Sequence, residues 1–127
     1  MKLVECIPNF SEGRDPKIIQ AIADAIQSVP NVWLLHVDAG YDANRTVYTF
    51  VGDIHSIAEA AFQAIQAAAR LINMEVQQGE HPRMGACDVC PFVPLGETSM
   101  EEVIELTHQL GQRLGEIGRA SCRKECL

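Results

Sequence analysis

The chain has 127 residues, of which 47% are apolar and 21% charged, with a net charge of −7. That length supports one small domain with a single core, and the acidic balance argues against nucleic acid or an anionic membrane as a partner. No stretch approaches the roughly 18 consecutive apolar residues that a membrane span requires. The opening MKLVECIPNF is too short and too polar for a secretory signal, so a cytoplasmic location with five reduced cysteines is expected.

In chain order, KLVECIPN (2–9) alternates Leu3, Glu5 and Ile7 against Val4 and Cys6 and reads as a strand, ended by Pro8 and the loop NFSEGRD. Asp15 followed by Pro16 is an N-cap with proline at the first helical position, and Ile18, Ile22, Ala25, Ile26 and Val29 then share a helical face up to Pro30. VWLLHV (32–37) reads as a buried strand. After the loop DAGYDAN, RTVYTFVG (45–52) sets Tyr48 and Phe50 against Val47, Thr49 and Val51, as a further strand does. Ser56 and Glu59 have capping-box spacing, ahead of a stripe of Ile57, Ala60, Ala61, Ala64, Ile65, Ala68, Leu71 and Ile72. DVCPFVPL (88–95) reads as a strand that Pro91 and Pro94 confine to an edge or an irregular path. Ser99 and Glu102 form a second capping box before Val103, Leu106, Leu110 and Leu114.

The resulting order, β-α-β-β-α-β plus a C-terminal helix, predicts an α+β fold of the ferredoxin-like split βαβ kind. Both long helices then cover one face of a mostly antiparallel sheet. The other face is left for something else to cover, with Tyr48, Phe50 and His36 as its expected residues. Residues 1–116 are expected to form one subdomain. IGRASCRKECL (117–127) breaks the amphipathic pattern, resembles a translated sequencing-library adapter, and is expected to be a non-native tail. Residues 1–116 alone hold 7 basic and 16 acidic residues, a net charge of −9, and lack Cys122 and Cys126.

Candidate chemistry concentrates in GEHPRMGACDVC (79–90). Cys87 and Cys90 have the spacing of a zinc ligand pair or a redox dithiol, but no second ligand pair lies within 1–116 and Pro91 follows where a helix should begin. Small buried thiols are therefore expected, and no metal site. His81, beside Glu80 in a Gly/Pro-bounded loop, has an ordinary pKa near ~6.5 that suits proton transfer. His36, His55 and His108 read as structural or solvated. Asn9 to Gly13 and Asp38 to Arg45 are polar clusters at strand ends, each either a turn or part of a site. Arg83 either grips a carboxylate with its fork or lies on the surface.

VECIPNFSEGRD, LLHVDAG, NRTVYTFVG, GEHPRMGA and DVCPF, in that order between Leu3 and Glu116, resemble the N-terminal half of the glutamate formiminotransferase family. The resemblance implies transfer of a formimino group from N-formimino-L-glutamate to N5 of tetrahydrofolate in histidine degradation. It implies tetrahydrofolate as acceptor, no metal, and homo-oligomers of the complete enzyme. It further implies two ferredoxin-like halves whose sheets face each other across a folate cleft, so that this chain without its C-terminal half is inactive. His81 aligns with the family's catalytic histidine. Asn9, Asp38, Asn44, Arg45, Glu80 and Arg83 are the candidate substrate or folate contacts. A non-catalytic ferredoxin-like module for a small ligand is the alternative, and a thiol or zinc protein built on Cys87 and Cys90 is another.

Overall fold

The computed structural model describes residues 1–72 and 86–121, with side chains in the last helix as far as Glu116. The strands are β1 (Leu3–Cys6), β2 (Asn9–Phe10), β3 (Val32–Gly40), β4 (Arg45–Asp53), β5 (Cys87–Val89) and β6 (Phe92–Leu95). The helices are α1 (Pro16–Gln27), α2 (Ile54–Leu71) and α3 (Met100–Ser121), the last running without a break through position 116. β1 and β2 are one strand path interrupted at Ile7–Pro8, and β5 and β6 are another interrupted at Cys90–Pro91. Both β1 and β2 pair with one edge of β4, β3 pairs with its other edge, and β6 and β5 continue the sheet beyond β1 and β2. Every pairing is antiparallel. This is the ferredoxin-like split βαβ arrangement, α+β in class. The prolines act as expected, since the path containing Pro91 and Pro94 is a sheet edge.

Side-chain alternation decides which face the helices cover. Along β4, Thr46, Tyr48, Phe50 and Gly52 are buried, while Arg45, Val47, Thr49 and Val51 alternate onto the opposite, half-exposed face. Val4, Cys6 and Phe10 from the neighbouring path join the buried set. Ile22 and Ile26 of α1, Ile57, Ala60, Ala61 and Ala64 of α2, and Val103, Leu106 and Leu110 of α3 complete one continuous core. Tyr48 and Phe50 therefore do not lie on the second face, where the sequence placed them. Phe10 packs edge-on against Tyr48 with ring centroids 5.4 Å apart, and the Tyr48 hydroxyl donates to the Ile19 carbonyl at 2.9 Å, pinning α1 to the sheet. Burial pushes the Tyr48 phenol well above its ordinary pKa, with the Glu12 charge adding to the rise.

The helix starts follow local chemistry. At α1 the Asp15 carboxylate accepts from Lys17 N at 2.9 Å, ahead of proline in the first turn. At α3 the capping box closes: Ser99 Oγ accepts from Glu102 N at 3.1 Å and Glu102 Oε1 accepts from Ser99 N at 2.9 Å. The expected Ser56–Glu59 box is absent because α2 begins three residues earlier, directly off β4. There the Ile54 amide donates to the Lys2 carbonyl at 2.9 Å, so main chain satisfies a group that a side-chain cap would otherwise serve. Glu59 instead accepts from Arg113 of α3 at 2.6 Å and from Gln63 at 2.7 Å. Arg113 also lies over the Phe62 ring at 3.5 Å, which joins α3 to α2. The stretch 32–37 is less buried than its composition suggests: Trp33 is 50% and Leu35 60% exposed.

Two measurements test this packing. Tyr48→Phe removes the tether to Ile19 and should lower the unfolding free energy in urea by about 1 kcal/mol, the usual net value of such a bond. An unchanged urea midpoint would show that the hydroxyl holds nothing. Glu102, whose carboxyl the Lys2 ammonium and the Ser99 amide hold down to about 2, is stabilising when ionised. Its contribution should be complete above the ordinary carboxylate range and disappear as pH falls toward about 2, so native and Glu102→Gln chains converge in stability there.

Candidate functional site

The half-exposed sheet face gathers the polar residues, and two one-residue bulges account for the arrangement. In β3, Leu34 pairs with Phe50 but His36 pairs with Thr49, so Leu35 is an extra residue. The bulge reverses the alternation, and His36 and Asp38 then share a face with Trp33, Thr49 and Val47 instead of entering the core. In β5, Cys87 pairs with Phe10 and Val89 with Asn9, which leaves Asp88 as the extra residue. A bulge at a sheet edge re-aims the side chain it carries. Here it directs Asp88 toward Ser11 and Arg45.

Arg45 is the centre of the cluster. One terminal guanidinium nitrogen donates to Asn9 Oδ1 at 2.9 Å, and Nε lies 3.5 Å from Asp88 Oδ2. The other Asp88 oxygen accepts from Ser11 Oγ at 3.3 Å. The pair is largely shielded, with side-chain exposures of 23% for Arg45 and 10% for Asp88. Nε is buried and, among the described residues, has no acceptor at hydrogen-bond geometry. Arg45 is thus held by residues from two neighbouring strand paths, with Nε shielded beside Asp88 and the fork anchored to Asn9 through one terminal nitrogen. Such a group suits a carboxylate, which matches the guanidinium fork and its charge.

The loops beside this cluster are built to hold it still. Gly13 N donates to Asn44 Oδ1 at 2.8 Å, and Asn44 itself adopts φ 54°, a left-handed conformation that asparagine tolerates. A Cβ on Gly13 would lie 2.6 Å from both Arg45 N and Arg45 O and closer still to Gly40 O, so only glycine fits where the two loops cross. Glu12 is buried, its carboxylate accepts from the amides of Arg14 and Asp15 at 2.9 Å each, and its carbonyl accepts from Thr46 Oγ1 at 2.5 Å. Arg14 reaches across to donate to the carbonyls of Tyr41 at 2.7 Å and Asp42 at 3.3 Å.

Of the residues singled out in the sequence, Asn9 and Arg45 are brought together, with Asp38 exposed on the same sheet face. Asn44 is buried and serves the loop crossing. His81, Glu80 and Arg83 lie outside the described residues. Asp88 was not foreseen as a site residue, although an acid within a short apolar strand flanked by cysteines was its available signal. Nor was Cys6 foreseen as a neighbour of Cys90, with the sulfurs 3.6 Å apart. Among the described residues no group of three or more His, Cys, Asp or Glu is placed to hold a metal ion, and no helix is long and apolar enough to cross a membrane.

Comparison with known proteins accords with this layout. Residues 3–121 match the family described as the formiminotransferase domain, N-terminal subdomain. The chain is 55% identical over 115 residues to the formimidoyltransferase-cyclodeaminase of Gallus gallus, covering 91% of this chain and 21% of that protein. It is 53% identical over 116 residues to the glutamate formimidoyltransferase of Thermoplasma acidophilum, covering 91% and 38% respectively. With the glutamate formimidoyltransferase of Streptococcus pyogenes serotype M1 it shares 47% identity over 118 residues, covering 92% and 40%. The chain thus spans between about a fifth and two fifths of the length of these relatives. With a sheet, helices and glycine-locked loops in this order and a match over nearly its whole length, the chain belongs to the formiminotransferase family, as its N-terminal subdomain.

Proposed function

We propose that this subdomain forms one wall of a glutamate formimidoyltransferase site, in which a formimino group passes from N-formimino-L-glutamate to N5 of tetrahydrofolate. The observation that carries the reading is Arg45, held by Asn9 and Asp88 at the end of the uncovered sheet face. Both proposed reactants bear carboxylates, and a pre-positioned guanidinium loses little freedom on binding one. The relatives named glutamate formimidoyltransferase support the chemistry.

In the transfer, N5 of the pterin attacks the formimino carbon and a tetrahedral centre forms. N5 must lose a proton, and the glutamate nitrogen must gain one before the C–N bond to it breaks. His81 is assigned both transfers, first as base and then as acid, since one imidazole near neutral pKa can do each. Arg45 and Arg83 bind carboxylates, and Asn9, Asp38 and Glu80 orient polar groups of the two substrates. Bringing both substrates into one cleft supplies a further part of the acceleration.

The opposite wall belongs to a second, C-terminal subdomain that covers the open sheet face in the complete enzyme, itself a homo-oligomer. Trp33 and Val89, each at least half exposed, are apolar residues that such a cover would bury. The 127-residue chain by itself is accordingly assigned no turnover.

The test is kinetic, in the complete enzyme. His81→Ala should lower kcat by about 10²–10⁴-fold with KM for both substrates little changed, as loss of a general acid–base does. Arg45→Lys keeps the charge but loses the fork, and should raise KM for a carboxylate-bearing substrate by about 10-fold or more with kcat far less affected. Normal kinetics for His81→Ala, with folding intact, would rule out its proton transfers. An unchanged KM for Arg45→Lys would remove Arg45 from the binding surface.

A further inference from the structure

Three thiols take no part in the proposed transfer, yet the fold assembles them from separate parts of the chain. Cys6 closes β1, Cys87 opens β5, and Cys90 lies between β5 and β6, outside both ladders. Cys6 and Cys87 are buried and Cys90 is partly so. The sulfurs of Cys6 and Cys90 are 3.6 Å apart. Among the described residues no group of three or more potential ligands is placed to hold a metal ion.

The three sulfurs are not equivalent. Interaction with the Cys6 and Cys87 sulfurs holds the Cys90 thiol down to about 5, against the effect of burial. Burial pushes the Cys6 thiol up, and the hydrogen bond with Cys90 does the same to Cys87. Cys90, the least buried of the three and in contact with Cys6, is the sulfur that an oxidant from solvent meets first, with a second thiol beside it. That pairing matches an attacking and a resolving cysteine.

Backbone geometry bears on whether the two can join. The ladder sets Cys6 opposite Phe92, so Cys90 is its diagonal neighbour. Diagonal neighbours in a sheet are about 7–8 Å apart, slightly beyond the usual disulfide span of about 4.4–6.8 Å between Cα atoms. Cys90 belongs to neither ladder, while the Pro91 carbonyl accepts from the Ile7 amide at 3.1 Å, so the junction is held beside Cys6 and closing the bridge requires Cys90 itself to shift.

We propose that Cys90 and Cys6 form a redox modification site, at which a hydroperoxide oxidises Cys90 and Cys6 resolves the product as a disulfide. In the first step the Cys90 sulfur attacks a peroxide oxygen, the O–O bond breaks, and Cys90 becomes a sulfenic acid. With hydrogen peroxide the departing hydroxide takes a proton and leaves as water. In the second step the Cys6 sulfur attacks the Cys90 sulfur, the S–O bond breaks, and the Cys6 proton leaves with that oxygen as a second water. Two thiols lose two electrons and one peroxide gains them. The new bond lies two residues from Asp88, whose carboxylate contacts Arg45 and Ser11.

The experiment uses the full chain with Cys122→Ser and Cys126→Ser, leaving three thiols. After exposure to equimolar hydrogen peroxide and alkylation, tryptic mass mapping should show the peptide 3–14 linked to the peptide containing Cys90, with the alkyl group on Cys87. A reducing thiol should reverse the link. The yield should exceed that of the same oxidation in guanidinium by about 10-fold or more, since only the folded chain holds the sulfurs together. Adding Cys6→Ser should abolish the link and leave a sulfenic acid on Cys90 that dimedone traps. Should that variant not fold, the map of the chain retaining Cys6 still decides the matter. Free Cys6 and Cys90 after oxidation, a Cys87–Cys90 link, equal yields folded and unfolded, or a dimedone adduct persisting with Cys6 present would each overturn the proposal.

Discussion

Strand β4 lies between β3 and the β1/β2 path, and its alternation fixes what each face of the sheet can do. Thr46, Tyr48, Phe50 and Gly52 point to the helices, so Arg45, Val47, Thr49 and Val51 must point away from them. A slip of one residue would exchange the two sets and bury Arg45 in the core. The register is locked at the Gly52 end, where an added Cβ would meet Val32 Cγ2 at 2.8 Å, and at the Arg45 end by the Gly13 crossing. Core packing and site geometry are thus consequences of one strand phase.

The two bulges act within that frame. Leu35 reverses the alternation of β3 and moves His36 and Asp38 to the open face, while Asp88 departs from the β5 ladder to meet Arg45 and Ser11. Each inserts a single residue, and each moves polar side chains where a regular strand would not present them. The loops that meet beside Arg45 carry a buried acid, a left-handed asparagine and an arginine clamp, all occupied with holding backbone in place. A guanidinium presented on so fixed a base is more useful for orienting a reactant than one on a mobile loop.

Much of this was legible in the sequence. The order of elements, the Asp15–Pro16 start, the Ser99–Glu102 box and the apolar stripes of the helices follow from local chemistry, and the structure has them. The alternation of Tyr48 and Phe50 against Val47 and Thr49 was legible too, but which set faced the helices was not, because either phase gives the same pattern. The bulges were hidden for a related reason: an extra residue is defined by its partner strand, which sequence spacing does not contain. Ser56 and Glu59 have the right spacing for a cap, yet the Lys2 carbonyl, remote in sequence, had already moved the helix start to Ile54. Asn9 and Arg45 were recognisable as polar residues at strand ends. Asp88, which joins Arg45 to Ser11, was visible only once the edge strand was in place.

The central claim is that the reactants meet the sheet face bearing Asn9, Asp38 and Arg45, opposite the face the helices cover. Backbone amide shifts of the complete enzyme, followed by NMR as tetrahydrofolate is added without oxygen, test this most directly. The account predicts that, within this subdomain, the perturbed amides cluster on Asn9, Asp38, Arg45, Val47 and Thr49, with α1 and α2 unmoved along their outer surfaces. Perturbations confined to those helix surfaces, or none on β2, β3 and β4 at saturating folate, would contradict it.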